Sequence, residues 1–253
     1  MADHKAVATA WVERWDRQQE HYIAGREERF QVIGDVVEHV CAQVDAALVV
    51  DLGCGPGSLS TRLHARVPHA TIVGVDVHPF LLGLARHTRP AEAPVDYVLA
   101  DLAEPGWTAH VGTARQWDAA VSTTALHWLE PDRLRGVYAD LAEVIRPGGV
   151  LVNGDHLHFE QPVLRELAEF VRDRHAERAG VLANEDWRAW WDEARSDAGL
   201  RELFTEEELT TKAGGYGNDL SVRWHEEALL RAGFSDVGVV WQYGDDHVLV
   251  AVR

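Results

Sequence analysis

Cysteine is scarce in this sequence: only Cys41 and Cys54 occur among 253 residues, and they do not form a CxxC pair. Such scarcity argues against a disulfide framework and against a cysteine zinc site. No apolar run approaches the ~18 residues of a membrane-spanning helix, and the polar amino terminus lacks the apolar core of a signal peptide. We therefore expect a protein of the reducing cytoplasm, with no membrane partner.

Basic residues are also under-represented. The chain has 24 Lys and Arg residues against 41 Asp and Glu residues, a formal net charge of −17. No basic run of about five or more residues marks a local patch. A strongly acidic surface repels phosphate backbones and anionic lipid. The composition thus argues against nucleic-acid and membrane-surface partners.

Strand-like and helix-like segments alternate through the middle of the chain. Apolar runs predict strands at 47–52, 70–76, 95–100, 117–122 and 150–153, and amphipathic patterns predict helices at 58–66, 79–87 and 132–145 between them. This spacing favours βαβ units and a mostly parallel sheet with both faces covered. Two further strands, 237–241 and 248–252, are joined by a short turn and should pair antiparallel.

The alternation stops over residues 156–221. There the pattern predicts helices at 162–178 and 186–197, a short helix capped by Thr205 and Glu208, and a glycine-rich link at 213–217. We interpret this stretch as a helical lid inserted after strand five and lying over the sheet. The expected organisation is a single domain over 1–253, with a helical segment at 1–44, a core at 45–155 and 222–253, and the lid at 156–221.

A glycine turn follows the first predicted strand, in the stretch Asp51-Leu52-Gly53-Cys54-Gly55-Pro56-Gly57. A strand, a glycine turn and a helix N-terminus together can hold a small polar ligand against backbone. The dinucleotide fingerprint G-x-G-x-x-G does not fit, because Ser58 takes the place of its third glycine and Pro56 interrupts it. The pattern Asp-x-Gly-x-Gly-x-Gly instead resembles motif I of class I S-adenosylmethionine (SAM)-dependent methyltransferases.

Three more motifs follow at the family's intervals. Asp76 ends the second strand, where a carboxylate can accept two hydrogen bonds from a ribose diol. Asp101 ends the third strand, and in the family an acid there contacts the adenine amino group while its neighbour, here Leu102, packs on the ring. Residues 117–122 match motif IV, and 146–151 match the turn into strand five.

The resemblance implies an α/β fold with a seven-stranded Rossmann-like sheet of order 3-2-1-4-5-7-6, strand seven antiparallel. It implies SAM as cofactor and S-adenosylhomocysteine (SAH) as product, bound across the carboxyl ends of strands one to three. The residues expected to bind it are Asp51, Gly53, Cys54, Gly55, Gly57, Asp76, Val77, Asp101, Leu102, Ser122, Tyr22 and Arg26. Alternatives stay open: Asp51 as a turn cap, Asp101 as a helix cap, and Tyr22 and Arg26 as surface residues.

The methyl acceptor is less clear from the sequence. The Asn/Asp-Pro-Pro-Tyr motif of enzymes that methylate base nitrogens or glutamine amides is absent after strand four. In its place Ala125-Leu126-His127-Trp128 looks like the corresponding segment of small-molecule enzymes of the trans-aconitate type. The residues expected to bind the acceptor are His127, Trp128, His158, Trp187 and Trp191. The tryptophans either form an aromatic wall for a flat acceptor or hold the lid in place.

Histidine is the natural general base near neutral pH, and His127 and His156 follow strands four and five. Asp155 is a candidate orienting partner, although His127 can also simply pack beside Trp128. His225, at the start of the last helix, is expected at the surface or in the lid. The spacing of Asp155, His156 and His158 matches no metal-ligand signature, so no metal is predicted.

These patterns lead to a main hypothesis and an alternative. The first is a SAM-dependent methyltransferase that acts on a small molecule in specialised metabolism, as a monomer or homodimer. The alternative is a SAM-binding protein that does not methylate, either a regulatory subunit or an enzyme that cyclises or cleaves SAM. The acceptor atom, whether O, N, C or S, stays open.

Overall fold

The computed structural model describes residues 4–112, 114–206, 208 and 217–253. Its helices α1 to α8 are His4–Glu20, Arg26–Cys41, Ser58–Arg66, Pro79–Thr88, Pro131–Val144, Pro162–Ala179, Trp187–Ser196 and Val222–Ala232. Its strands β1 to β7 are Leu48–Leu52, Thr71–Asp76, Val95–Leu99, Trp117–Thr123, Ile145–His156, Asp236–Tyr243 and Asp246–Val252. Of the glycine-rich link expected at 213–217, residues 213–216 lie outside the described residues.

The seven strands form one sheet in the order β3-β2-β1-β4-β5-β7-β6. Strands β1 to β5 are parallel, and β7 runs antiparallel to both β5 and β6. The predicted fold is confirmed. All five residues of β1 are buried because helices cover both faces of the sheet, α5 and α8 on one and α2 and α3 on the other.

Strand β5 is longer than the sequence pattern predicts. The expected strand at 150–153 extends to His156, because Asp155 pairs with His247 and His156 pairs with Asp246 of β7. The polar residues from Gly154 onward suggested a loop, but the antiparallel neighbour satisfies their backbone groups. Asp155 is therefore held within the sheet by its backbone pairing, near the carboxyl end of β5.

The inserted segment lies on two different parts of the core. Helix α7 packs on α1 and α4 through aromatic side chains, and α6 lies against the turn between β6 and β7, where Arg172 pairs with Asp245. At the end of the described segment, Glu208 N donates to Thr205 Oγ1 at 3.2 Å, and the Glu208 carboxylate accepts from Thr205 N at 2.9 Å. These reciprocal bonds confirm the predicted capping box.

Helix α6 presents apolar side chains to solvent. We call these residues the α6 stripe: Val163, Leu164, Leu167, Phe170 and Val171. Their spacing places them along one side of the helix. Among the described residues, no helix is both long enough and apolar enough to cross a membrane.

Candidate active site

The glycine turn after β1 requires glycine for two physical reasons. Gly53, Gly55 and Gly57 have positive φ angles of 66°, 54° and 83°, a region that L side chains avoid. A Cβ on Gly53 would also lie 2.3 Å from the Cβ of Ala125, and one on Gly57 would lie 2.3 Å from the hydroxyl of Tyr97. The turn thus brings backbone close to its surroundings, as a ligand cradle must.

Asp76 lies beside this turn, at the end of β2. Its Oδ2 accepts a hydrogen bond from Gly55 N at 2.7 Å, and its Oδ1 accepts one from His78 N at 2.8 Å. Burial raises the pKa of Asp76, while the backbone N–H bonds oppose that rise. Because a carboxylate offers about four acceptor sites, both oxygens can still accept from a ribose diol.

Asp51 is a fully buried carboxyl beneath the same turn. Ser60 Oγ donates to its Oδ2 at 2.6 Å, whereas its Oδ1 has no partner among the described residues. Burial raises the pKa of Asp51 to about 7. A buried carboxylate oxygen without a partner is unfavourable, and a cationic ligand group would satisfy it. The site therefore fits the ammonium group of SAM.

The remaining cofactor candidates differ in their surroundings. Asp101 is exposed and its Oδ1 accepts from Ala103 N at 2.8 Å, so it does act as a local cap. Val77 is exposed and Leu102 is half-buried. Ser122 is buried and its Oγ donates to Leu52 O at 2.9 Å, tying β4 to β1. Cys54 is buried in the turn.

Helix α1 is anchored to the glycine turn by Asp16, a residue that the sequence did not single out. Asp16 Oδ1 accepts from Ser58 Oγ at 2.6 Å and from Arg26 Nη1 at 2.8 Å. Arg26 is buried and stacks over Phe30, so it forms an ion pair inside the protein and not on its surface. Tyr22 is partly exposed, and its hydroxyl accepts from Trp187 N at 3.1 Å.

His127 and Asp155 form a hydrogen-bonded pair at the carboxyl edge of β4 and β5. His127 Nδ1 lies 2.8 Å from Asp155 Oδ1, and no hydrogen bond to its Nε2 occurs in the described part of the chain. Since an ionised carboxylate only accepts, Nδ1 carries the proton and Nε2 is free to act as a base. Trp128, beside it, is exposed, with its ring 4.9 Å from that of His127.

The two members of this pair shift each other's titration. Burial alone would raise the pKa of Asp155, but His127 and Arg29 lower it to about 2. Burial has the opposite sign for His127 and lowers its pKa. The Asp155 carboxylate outweighs that effect, so the net pKa of His127 is raised above its usual 6.5. Asp155 is thus ionised near neutrality and His127 is a stronger base than a free imidazole.

The other histidines have partners of their own. His156 Nδ1 lies 3.3 Å from Asp245, and His158 Nε2 lies 2.7 Å from Asp219. His225 is buried, so the prediction of a surface or lid position is wrong: its Nδ1 lies 2.7 Å from the Tyr138 hydroxyl, and burial lowers its pKa to about 4. No set of three His, Cys, Asp or Glu side chains in the described ranges is arranged to hold a metal.

Arg29 of α2 is a second residue without a sequence signal. Its fully buried guanidinium donates to Asp246 Oδ1 at 2.7 Å, to Gly154 O at 3.2 Å and to Thr123 Oγ1 at 3.3 Å. It therefore joins α2 to the carboxyl ends of β4 and β5. Its charge is balanced there by Asp246.

The lid tryptophans pack mainly against other helices. Trp190 and Trp191 are buried, and Trp187 is half-buried. The Trp190 ring stands edge-on to Trp11 at 5.5 Å and to Trp15 at 4.8 Å. This arrangement holds α7 on α1, which is the second of the two roles considered for these side chains.

Comparisons with known proteins agree with this geometry. A family model described as a methyltransferase domain matches residues 49–149. A trans-aconitate 2-methyltransferase from Azoarcus sp. is 34% identical over 169 residues, covering 67% of this chain and 61% of that protein. A carboxy-S-adenosyl-L-methionine synthase from Chromohalobacter salexigens is 28% identical over 215 residues, covering 82% of this chain and 68% of that protein.

A solved structure shows the same fold over nearly the whole chain. It is a magnesium protoporphyrin IX methyltransferase from Synechocystis with bound SAH, with a TM-score of 0.59 and 17% identity, covering 96% of this chain and 94% of that one. The chain spans only 61% and 68% of the two curated relatives. The sheet order, the glycine turn and the family match together identify SAM as the cofactor. Residues 49–149 of this chain form a methyltransferase domain of the class I SAM-dependent type.

Proposed function

We propose that this methyltransferase transfers the methyl group of SAM to a small-molecule acceptor and that His127 removes the acceptor's proton. The hydrogen bond from His127 Nδ1 to Asp155 is the observation that carries this proposal. Ala125, two residues before His127, packs against Gly53 of the cofactor turn. The base therefore lies beside the turn, where an acceptor would meet the methyl group.

The chemistry assigned to the chain's own residues is positioning and proton transfer. SAM, when bound, supplies an already activated methyl group on a sulfonium. Asp155 holds the imidazole of His127 in one tautomer and stabilises the imidazolium that forms. Nε2 of His127 takes the acceptor's proton as the new bond to carbon forms. The surrounding elements hold the acceptor in line with the methyl group, which removes much of the entropic barrier.

Cofactor binding is assigned to the residues around the glycine turn. We propose that Asp51 binds the ammonium group, Asp76 binds the ribose diol, and Asp101 contacts the adenine. The further proposed contacts are Gly53, Cys54, Gly55, Gly57, Val77, Leu102, Ser122, Tyr22 and Arg26. Arg26 already pairs with Asp16, so a contact with the methionine carboxylate would require that pair to be shared.

Acceptor binding is assigned to side chains near the carboxyl edge. We propose His127 and Trp128 as the central contacts, with His158, Trp187 and Trp191 as further ones. His156 is a second proposed base, although its Nδ1 already faces Asp245.

Release of SAH from SAM in the presence of candidate small-molecule acceptors tests this function. We expect acceptor-dependent release by the wild-type protein and a loss of about 10²-fold or more in His127→Ala. His110→Ala is the matched control, because His110 is an exposed histidine in the short 3-10 helix Trp107–Val111 between β3 and β4. Conversion of SAM without any acceptor would contradict the proposal and favour a SAM cyclase or lyase.

The cellular setting follows from composition and surface. We propose a cytoplasmic enzyme of specialised metabolism, supported by two free, buried cysteines. The net charge of −17 argues against a nucleic-acid partner.

Of the two oligomeric states considered, the α6 stripe favours a homodimer. A two-fold axis through Leu167 places Leu164 opposite Phe170 and Val163 opposite Val171, so the apolar stripe is complementary to itself.

A further inference from the structure

The arginines near the candidate acceptor site are already neutralised by carboxylates of the same chain. The first, Arg29, binds the ends of β4 and β5. Each of the other two shares its own carboxylate with a histidine of the site: Arg172 with His156, and Arg165 with His158. The pairs are Arg29 with Asp246, Arg172 with Asp245, and Arg165 with Asp219. An acceptor with several carboxylates would have to displace these partners. Within the described residues, the site is therefore poorly suited to a polyanion.

The His127–Asp155 pair points to the same conclusion from the side of the chemistry. A carboxylate acceptor is ionised near neutral pH and has no proton to remove. A hydroxyl acceptor, in contrast, is a weak nucleophile until its proton leaves. Since Asp155 raises the pKa of His127, the imidazole is strengthened as a base, which a carboxylate acceptor would not use.

Trp128 offers a binding surface for an aromatic ring next to that base. Its side chain is 51% exposed, although large aromatic side chains tend to be buried. Its ring lies 4.9 Å from the His127 ring. A flat acceptor that stacks on the indole would carry a ring hydroxyl within the neighbourhood of Nε2.

We propose that the methyl acceptor is a phenol, bound by stacking on Trp128, with its hydroxyl donating to Nε2 of His127. This inference rests on the proposed function. The O–H proton passes to Nε2, and a lone pair of the oxygen forms the O–CH₃ bond. The bond between the methyl carbon and sulfur breaks, and its electron pair stays on sulfur. The products are an aryl methyl ether, SAH and an imidazolium that returns its proton to solvent.

Binding of phenol, catechol and trans-aconitate to the SAH-saturated protein tests the inference. We expect millimolar or tighter binding of at least one phenol by ligand-observed NMR, and no binding of trans-aconitate. Trp128→Ala should weaken phenol binding roughly tenfold, whereas Trp128→Phe should keep most of it, because stacking needs an aromatic face. Trp241→Ala, on β6, is the matched control and should bind phenol as the wild type does.

The outcomes separate this inference from the proposed function. If SAH itself does not bind, the proposed function fails. If SAH binds but neither phenol binds at millimolar concentration, the phenol assignment is overturned. If trans-aconitate binds to the SAH-saturated protein and is methylated when SAM replaces SAH, the acceptor class is wrong while the methyltransferase function stands. Loss of phenol binding in Trp128→Phe as severe as in Trp128→Ala would also contradict stacking.

Discussion

At the scale of single residues, Asp51 is the proposed ligand of the SAM ammonium, and its buried carboxyl is energetically unfavourable without such a ligand. It is a buried carboxyl whose pKa burial raises to about 7, and one of its oxygens has no partner among the residues that the structure describes. A ligand ammonium would favour the ionised form and lower that pKa. The proposed contact between Asp51 and the SAM ammonium therefore couples cofactor binding to the loss of a proton from Asp51.

We expect the affinity for SAM to rise between about pH 6 and pH 8, as Asp51 ionises. The sign follows from the raised pKa: below it the carboxyl is neutral and attracts the ammonium less. Calorimetry near pH 6 in two buffers of different ionisation enthalpy should show proton release on binding. Asp51→Asn should bind more weakly and release fewer protons. Equal affinity at both pH values, with no proton released, would contradict this role.

The His127–Asp155 pair makes a second prediction at this scale. We expect kcat/KM to rise with pH as His127 loses its proton, with an apparent pKa above 6.5 because Asp155 raises it. Asp155→Asn should lower the rate about 10²- to 10⁴-fold and move the limb to lower pH, since desolvation and the charge of Arg29 then lower the pKa of His127 unopposed. A profile measured by SAH release checks both effects. An unshifted limb in Asp155→Asn would show that Asp155 does not tune the base.

Residue-scale features differ in how far the sequence predicts them. Gly53 and Gly57 were predictable, because a positive φ and a close approach restrict the position to glycine. The bond between His127 and Asp155 joins residues 28 positions apart, and no local pattern encodes it. His225 was misplaced for a similar reason: its partner Tyr138 lies 87 residues away on another helix.

At the scale of elements, α1 is held on the glycine turn by Asp16, which forms an ion pair with the buried Arg26. Asp16 bonds both Ser58 at the start of α3 and Arg26, which is buried. Burial alone would raise the pKa of Asp16, but Arg26 and the other partners outweigh that effect, and the net pKa is lowered. The amino-terminal segment is therefore fastened to the glycine turn by these contacts.

Removing one partner of this pair should destabilise the fold. We expect Asp16→Ala to lower the free energy of unfolding by about 3 kcal/mol, because Arg26 is left buried and unpaired. Asp16→Ala combined with Arg26→Met should lose less than the sum of the single variants. Urea unfolding followed by tryptophan fluorescence measures both. Wild-type stability in Asp16→Ala would mean that Arg26 finds another partner.

The elements themselves were largely predictable, whereas their ends and neighbours were less so. Helix α3 was predicted at 58–66 and occurs at Ser58–Arg66, because a glycine turn and a charged last turn mark its ends. Strand β5 was predicted too short, since pairing with β7 and not propensity determines where it ends. The docking of α7 on α1 depends on tryptophans whose partners are far apart in sequence, so the pattern left two roles open.

At the scale of the whole molecule, the acidic surface and the α6 stripe set the expected associations. The stripe exposes Leu167 at 54% and Phe170 at 61%, which favours contact with another apolar surface. The same five residues are ordered so that the stripe can pair with its own copy.

We expect sedimentation velocity to show concentration-dependent dimerisation, and Leu167→Glu to shift the protein to monomer. A glutamate at the two-fold axis would place two like charges together in the contact. Leu230→Glu is the matched control, because Leu230 is an equally exposed leucine on α8. A monomeric wild type at all concentrations, or a dimer that survives Leu167→Glu, would contradict this surface as the interface.

Calorimetric titration with SAH measures whether the turn after β1 and Asp76 form a SAM site. We expect one molecule bound per chain and a loss of about 10²-fold or more in affinity for Asp76→Ala, whose two charge-assisted bonds to the ribose would disappear. Asp96→Ala, at the exposed Asp96 of β3, should bind as the wild type does. No heat of binding at high protein concentration, or unchanged affinity in Asp76→Ala, would contradict this site.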